Sequence, residues 1–163
     1  MDTAIERDFA GGRFTFSLPL SGILAVEKGP VTPALRVREY PVSLFQIYDE
    51  LSAGIALDPD GNAVRLPGGR VYIGDVHNVL EQALRHGKRG ERDGEAIEVD
   101  PSTANRLVND TLAHNFEACA LLVWDILHAT IKGVALKKKV ASPPKRKPTR
   151  RSPAAKSSPT AER

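Results

Sequence analysis

The sequence predicts an α+β fold that is mainly α: an N-terminal β-hairpin packed on a small bundle of about five helices, followed by a disordered C-terminal tail. Three observations carry this expectation. Residues Asn115 to Gly133, NFEACALLVWDILHATIKG, place Phe116, Cys119, Ala120, Val123, Ile126, Leu127, Thr130 and Ile131 at three- and four-residue steps, which is one side of an α-helix. Near the N-terminus, Ile5, Arg7 and Phe9 alternate with polar neighbours, and Phe14, Phe16 and Leu18 resume the alternation beyond Gly11-Gly12. After Gly133 the composition changes to lysine, arginine, serine and proline, which cannot offset its ordering entropy by burial.

In chain order, Gly11-Gly12 can take the positive φ angles of a tight hairpin turn, and Pro19 ends the second strand. PLSGILAVEKG then reads as a short helix closed by Gly29 and Pro30. A two-stranded hairpin is marginal in water, so its aromatic face must lie on the helices that follow. Residues 29 to 41 carry three prolines and no helical period, which makes them a connector. SLFQIYDELSAG has Ser43 as N-cap, Leu44, Ile47, Tyr48 and Leu51 at helical spacing, and a terminating Gly54. The turn signal Asp58-Pro59-Asp60-Gly61-Asn62 follows, flanked by apolar residues, as a small hairpin or a surface loop.

A third helix takes Asp75 as its N-cap, buries Val76, Val79, Leu80, Ala83 and Leu84, and ends at His86-Gly87. GKRGERDGEA, residues 87 to 96, is highly charged and glycine-rich and reads as a flexible loop. Asp100-Pro101 gives an N-cap and an N1 proline to a fourth helix, which runs through Ala104, Leu107, Val108, Thr111 and Leu112 to about His114. Asn115 caps the fifth. On that last helix a second stripe, Leu121, Trp124 and His128, lies beside the first, so the apolar surface is wider than a small core needs. Either Trp124 fills space against the hairpin aromatics Phe14 and Phe16, or the stripe receives a partner, with Trp124 as its anchor.

The organisation is a globular domain over residues 1–135 and a basic tail over 136–163. Residues 137–163 hold ten Lys/Arg against one acid, a net +9, whereas the first 136 hold thirteen against nineteen, a net −6. Lys137, Lys138, Lys139, Lys145, Arg146, Lys147, Arg150 and Arg151 are therefore candidate polyanion ligands, able to contact nucleic acid weakly through phosphates and counterion release. The pieces SPPKRKP and RRSPAAK are similar to the tails of chromatin proteins, but no aromatic residue is present to stack on bases. A solubilising extension is the other reading.

Chemistry is sparse. His77, His86, His114 and His128 are not spaced with one another or with Cys119 as metal ligands, and Cys119 sits among apolar neighbours as an inert thiol. G-x-S-x-G, H-E-x-x-H and C-x-x-C are absent, and the glycine pairs do not stand between a strand and a helix as a phosphate cradle does. Asp49-Glu50 and Glu95 with Glu98 read as solvated faces. The expectation is a protein that is not an enzyme and holds no cofactor or metal. One cysteine, no apolar run near the roughly 18 residues of a membrane span, and an N-terminus unlike a signal peptide point to a soluble cytoplasmic protein.

The order FAGGRFTFSLPL, GILAVEKG, SLFQIYDEL, DVHNVLEQALRHG, DPSTANRLVNDTL and LLVWDILHATIKG resembles the tail-assembly chaperones of gene transfer agents and related tailed phages, over residues 5 to 133. The resemblance implies a non-enzymatic protein of the bacterial host cytoplasm. It would bind the long helical tape-measure protein non-covalently during tail morphogenesis, and keep it soluble until tail tube subunits polymerise around it. The stretch from Asp58 to Pro67 and the lysine-rich tail are longer than the family pattern.

Overall fold

A computed structural model describes residues 3–133. The element order is β1 (Ile5–Phe9), β2 (Gly12–Phe16), α1 (Leu20–Lys28), a 3₁₀ turn (Pro33–Leu35), α2 (Leu44–Ser52), β3 (Ile55–Leu57), β4 (Ala63–Arg65), α3 (Ile73–Gly87), β5 (Arg89–Arg92), β6 (Glu95–Glu98), α4 (Pro101–His114) and α5 (Phe116–Lys132). The expected α+β, mainly α class is what is found, and α3 lies at its centre, packed against β2, α1, α4 and α5.

The N-terminal strands pair antiparallel with Phe9 opposite Gly12 and Ile5 opposite Phe16. This register puts the turn at Ala10-Gly11, both at positive φ, one residue earlier than Gly11-Gly12. Gly12 is instead a strand residue, and a Cβ there would stand 2.5 Å from the Glu91 carbonyl oxygen. The sheet's inner face presents Ile5, Phe9, Phe14 and Phe16, all buried, with Phe9 edge-on to Phe14 and Phe16 at centroid distances of 6.3 and 5.7 Å. Full burial of Phe14 and Phe16 stabilises the sheet–helix contact by roughly 2 kcal/mol each. Ser17 N–H donates to the Ala83 carbonyl at 3.0 Å and ties the end of β2 to α3.

Residues 87 to 96 are not a flexible loop. They form most of a second hairpin, β5–β6, and the sheet has four strands in the order β1-β2-β5-β6. Its two-residue turn is Asp93-Gly94, both at positive φ, the Asp-Gly pair that a type I′ turn favours. The charges that argued against burial lie mostly on the solvent face, with Arg89, Glu91 and Glu98 exposed. Gly90 faces inward, where a Cβ would come within 2.2 Å of the Phe14 ring. This strand is thin at that point because an aromatic ring occupies the space.

The start of α3 also differs from expectation. The helix begins at Ile73, with Tyr72 at the N-cap position and no side-chain cap bond. Asp75 lies in the first helical turn, and its carboxylate serves a network described below rather than the helix's own N–H groups. The other caps follow the sequence: Ser43 Oγ accepts from Gln46 N–H, Asp100 Oδ1 from Thr103 N–H and Asn115 Oδ1 from Ala118 N–H. The Asp58 to Asn62 stretch is the turn of a two-stranded hairpin, β3–β4, with Asp58 Oδ1 accepting from the N–H groups of Asp60 and Asn62.

Candidate functional site

Helix α2 turns Leu44, Ile47 and Leu51 into the core, which leaves Phe45, Tyr48 and Ser52 along one flank of the same helix. Helix α5 does the same, with Cys119, Ala120, Val123 and Leu127 inward and Leu121, Trp124 and His128 along the flank that meets α2. There the rings of Tyr48 and Trp124 stack with centroids 6.1 Å apart, and Trp124 stacks on His128 at 4.7 Å. Trp124 Nε1–H donates to Ser52 Oγ at 2.9 Å, and the Tyr48 hydroxyl and His128 Nδ1 share a 2.8 Å hydrogen bond. The result is a three-ring platform in which the Trp124 N–H, the Tyr48 hydroxyl and His128 Nδ1 are all bonded.

Trp124 therefore packs neither on the hairpin phenylalanines nor as a free anchor. It is 8% exposed, held against α2 by Tyr48 and Ser52. Leu121 and His128 are half-buried. The open residue on this flank is Phe45, 63% exposed and one turn before Tyr48. Sequence reading missed it because a phenylalanine between core-spaced Leu44 and Ile47 looks like part of the same apolar face. The sign that could have found it is its offset of one position from the Leu44, Ile47 and Leu51 stripe. The cationic residues Lys137, Lys138, Lys139, Lys145, Arg146, Lys147, Arg150 and Arg151 lie outside the described residues.

On the opposite edge of α2 lies a polar cluster. Arg38, from the connector before α2, forms a two-pronged pair with Glu50, Nη1 to Oε2 at 2.6 Å and Nη2 to Oε1 at 3.0 Å. Its Nη1 also donates to Asp75 Oδ2 at 3.0 Å, and the Tyr40 hydroxyl donates to Asp75 Oδ1 at 2.7 Å. The guanidinium lies over the Tyr72 ring, 4.3 Å from its centroid. The hydrogen bond to Glu50 raises the Arg38 pKa, and the same bond holds the Glu50 carboxyl below its ordinary value. Burial, then the bond to Asp75, pushes the Tyr40 phenol up. Side chains fill the space around Glu50, Tyr72 and Asp75, so this cluster fastens the connector to α2 and α3 and offers no room to a substrate.

His77 and Cys119 are likewise enclosed. His77 is buried and its Nε2 bonds Asn109 Oδ1 at 2.8 Å across the α3–α4 contact. Burial pushes the Cys119 thiol up to about 11, which disfavours the thiolate a nucleophile needs. A shallow hollow of about 610 Å³ on the outer face of the sheet is lined by opposed charges such as Arg13 and Glu6, 3.7 Å apart. Among the described residues no cluster of three or more His, Cys, Asp or Glu is placed to hold a metal ion, and no helix is long and apolar enough to cross a membrane.

Comparison with protein-family models, with curated proteins and with solved structures finds no match to this chain.

Proposed function

We propose that this protein is a non-catalytic helix-binding protein, a tail-assembly chaperone of the phage type that holds a tape-measure protein non-covalently during tail morphogenesis. The observation that carries the reading is Phe45, 63% exposed beside the Tyr48–Trp124–His128 platform. An amphipathic helix is recognised by burial of apolar anchors with few directional bonds, and the α2–α5 flank offers an aromatic surface of that kind. The platform is preorganised: Trp124 is fixed by Ser52 and Tyr48 by His128, so a partner meets rings that have little freedom left to lose. Phe45 at its edge supplies the aromatic contact that interface hot spots favour.

Co-expression with the tape-measure protein of the same gene cluster tests the reading. The expected outcome is co-purification and a soluble partner with the native chain, and loss of both with Phe45→Ser. A partner that neither co-purifies nor gains solubility would contradict it.

A further inference from the structure

We propose that the cleft between the sheet's turn end and the C-terminal half of α4 is a binding site for a small oxyanion, a phosphate or a carboxylate, held by Arg92 and Arg106. The cleft has a volume of about 470 Å³ and is lined by Ala10, Arg92, Arg106, Asp110, Thr111 and His114. Arg92 reaches it from β5 and the others from the β1–β2 turn and from α4, so three separate parts of the chain converge there.

Arg92 is the unusual member. One of its terminal nitrogens donates to the Ala10 carbonyl, yet its Nε–H is buried with no hydrogen-bond partner. A buried donor left unpaired costs about 1–3 kcal/mol, and such groups in a folded protein call for an acceptor. No carboxylate of the described residues supplies one. Glu95, the register partner of Arg92 across the β5–β6 turn, makes no ion pair with it, and Arg106 has none either. Two guanidinium groups thus line one cleft, where Asp110, one helical turn beyond Arg106, is the carboxylate of the lining, and Asp100 acts on Arg106 from the start of α4.

The charge count sets the size of the ligand. Among the lining side chains, Arg92 and Arg106 against Asp110 leave one net positive charge before His114 is counted, enough for a small anion and little for a polyanion. His114 Nδ1 lies 2.7 Å from the Asp110 carbonyl oxygen, which can only accept, so Nδ1 carries a proton and Nε2 is left as the ring's free nitrogen. An oxyanion in the cleft gives the Arg92 guanidinium a charge-assisted partner. The site is independent of the α2–α5 flank.

The test is NMR titration of the full chain with inorganic phosphate and, separately, with acetate at constant ionic strength, reading the Arg92 Nε–H and His114 ring signals. These report the cleft alone, whatever the tail cations bind. Saturable shifts of both signals in at least one arm are expected, and the arm that gives them identifies the ligand as tetrahedral or planar. Arg106→Gln, a change at an exposed position, weakens binding on the order of tenfold, and Asp110→Asn strengthens it by removing the opposing charge. Absence of saturable shifts in both arms, or shifts indifferent to Arg106→Gln, would overturn the proposal.

Discussion

Helix α2 is held along two edges of opposite character. On one, Glu50 meets Arg38, and Arg38 meets Asp75, in a cluster with no room left between its side chains. On the other, Tyr48 and Ser52 meet Trp124 and His128 in a stack, and the exposed Phe45 lies one helical turn before Tyr48. Both edges join α2 to a helix distant in sequence, and both are tied by side-chain hydrogen bonds. They differ in what happens at the margin. Charge–charge pairing is satisfied internally, because Arg38 has two carboxylates to bond and Asp75 has Tyr40 as a second donor. Ring stacking has no such limit, and the apolar flank continues past His128 and Tyr48 to Phe45. A closed polar edge specifies the fold; an open aromatic edge leaves surface for a second molecule.

The largest effect that separates fold from surface is expected at Trp124. Trp124→Ala removes the central ring, leaves Ser52 Oγ without its donor, and should cost about 4 kcal/mol in urea unfolding. A loss under about 1 kcal/mol would mean that the platform is peripheral to the body.

Arg38→Ala comes next. It leaves Glu50 and Asp75 facing one another with no cation between them, at a cost of about 3 kcal/mol, the lower end of what breaking a buried pair costs because Glu50 keeps some contact with water. The pH dependence of that cost tests its origin. The Glu50 pKa is depressed in the fold from its ordinary 4.5, so its contribution is complete above that value and is lost as pH falls through the lower folded one. The gap in stability between wild type and Arg38→Ala should therefore narrow below about pH 4.5. A constant gap would assign the loss to packing of the Arg38 stem on Tyr72.

How much of this was legible in the sequence follows the same division. Local signals read correctly: Ser43, Asp100 and Asn115 are caps because the residue type and the apolar period beside them agree. Asp75 misled because the same residue type serves two ends. A carboxylate before an apolar run caps a helix in isolation, but here Arg38 and Tyr40 approach from a connector 35 or more residues away, and the helix starts three residues earlier. The β5–β6 hairpin was hidden by its composition. Six charges over residues 87 to 96 argue for a loop until β2 supplies an edge to pair with, after which most of them need only the solvent face of a sheet. The Asp93-Gly94 turn was the local sign, and it went unread because Arg89 to Glu98 carries Ile97 as its only large apolar residue. On the flank, Trp124 was identified as a residue of consequence, but its neighbours Tyr48 and Ser52 lie more than 70 residues away and no period links them. Phe45 stands one position off the Leu44, Ile47 and Leu51 stripe, and that offset was the sign of its exposure.

The most direct measurement is binding of a helical tape-measure segment by the native chain and by Phe45→Ser, followed by calorimetry alongside urea unfolding of both. Phe45 is exposed, so its replacement should alter folding stability by less than about 0.5 kcal/mol. Affinity should fall on the order of tenfold or more. Equal affinity for the two chains, at equal stability, would contradict the assignment of the α2–α5 flank as the partner's seat.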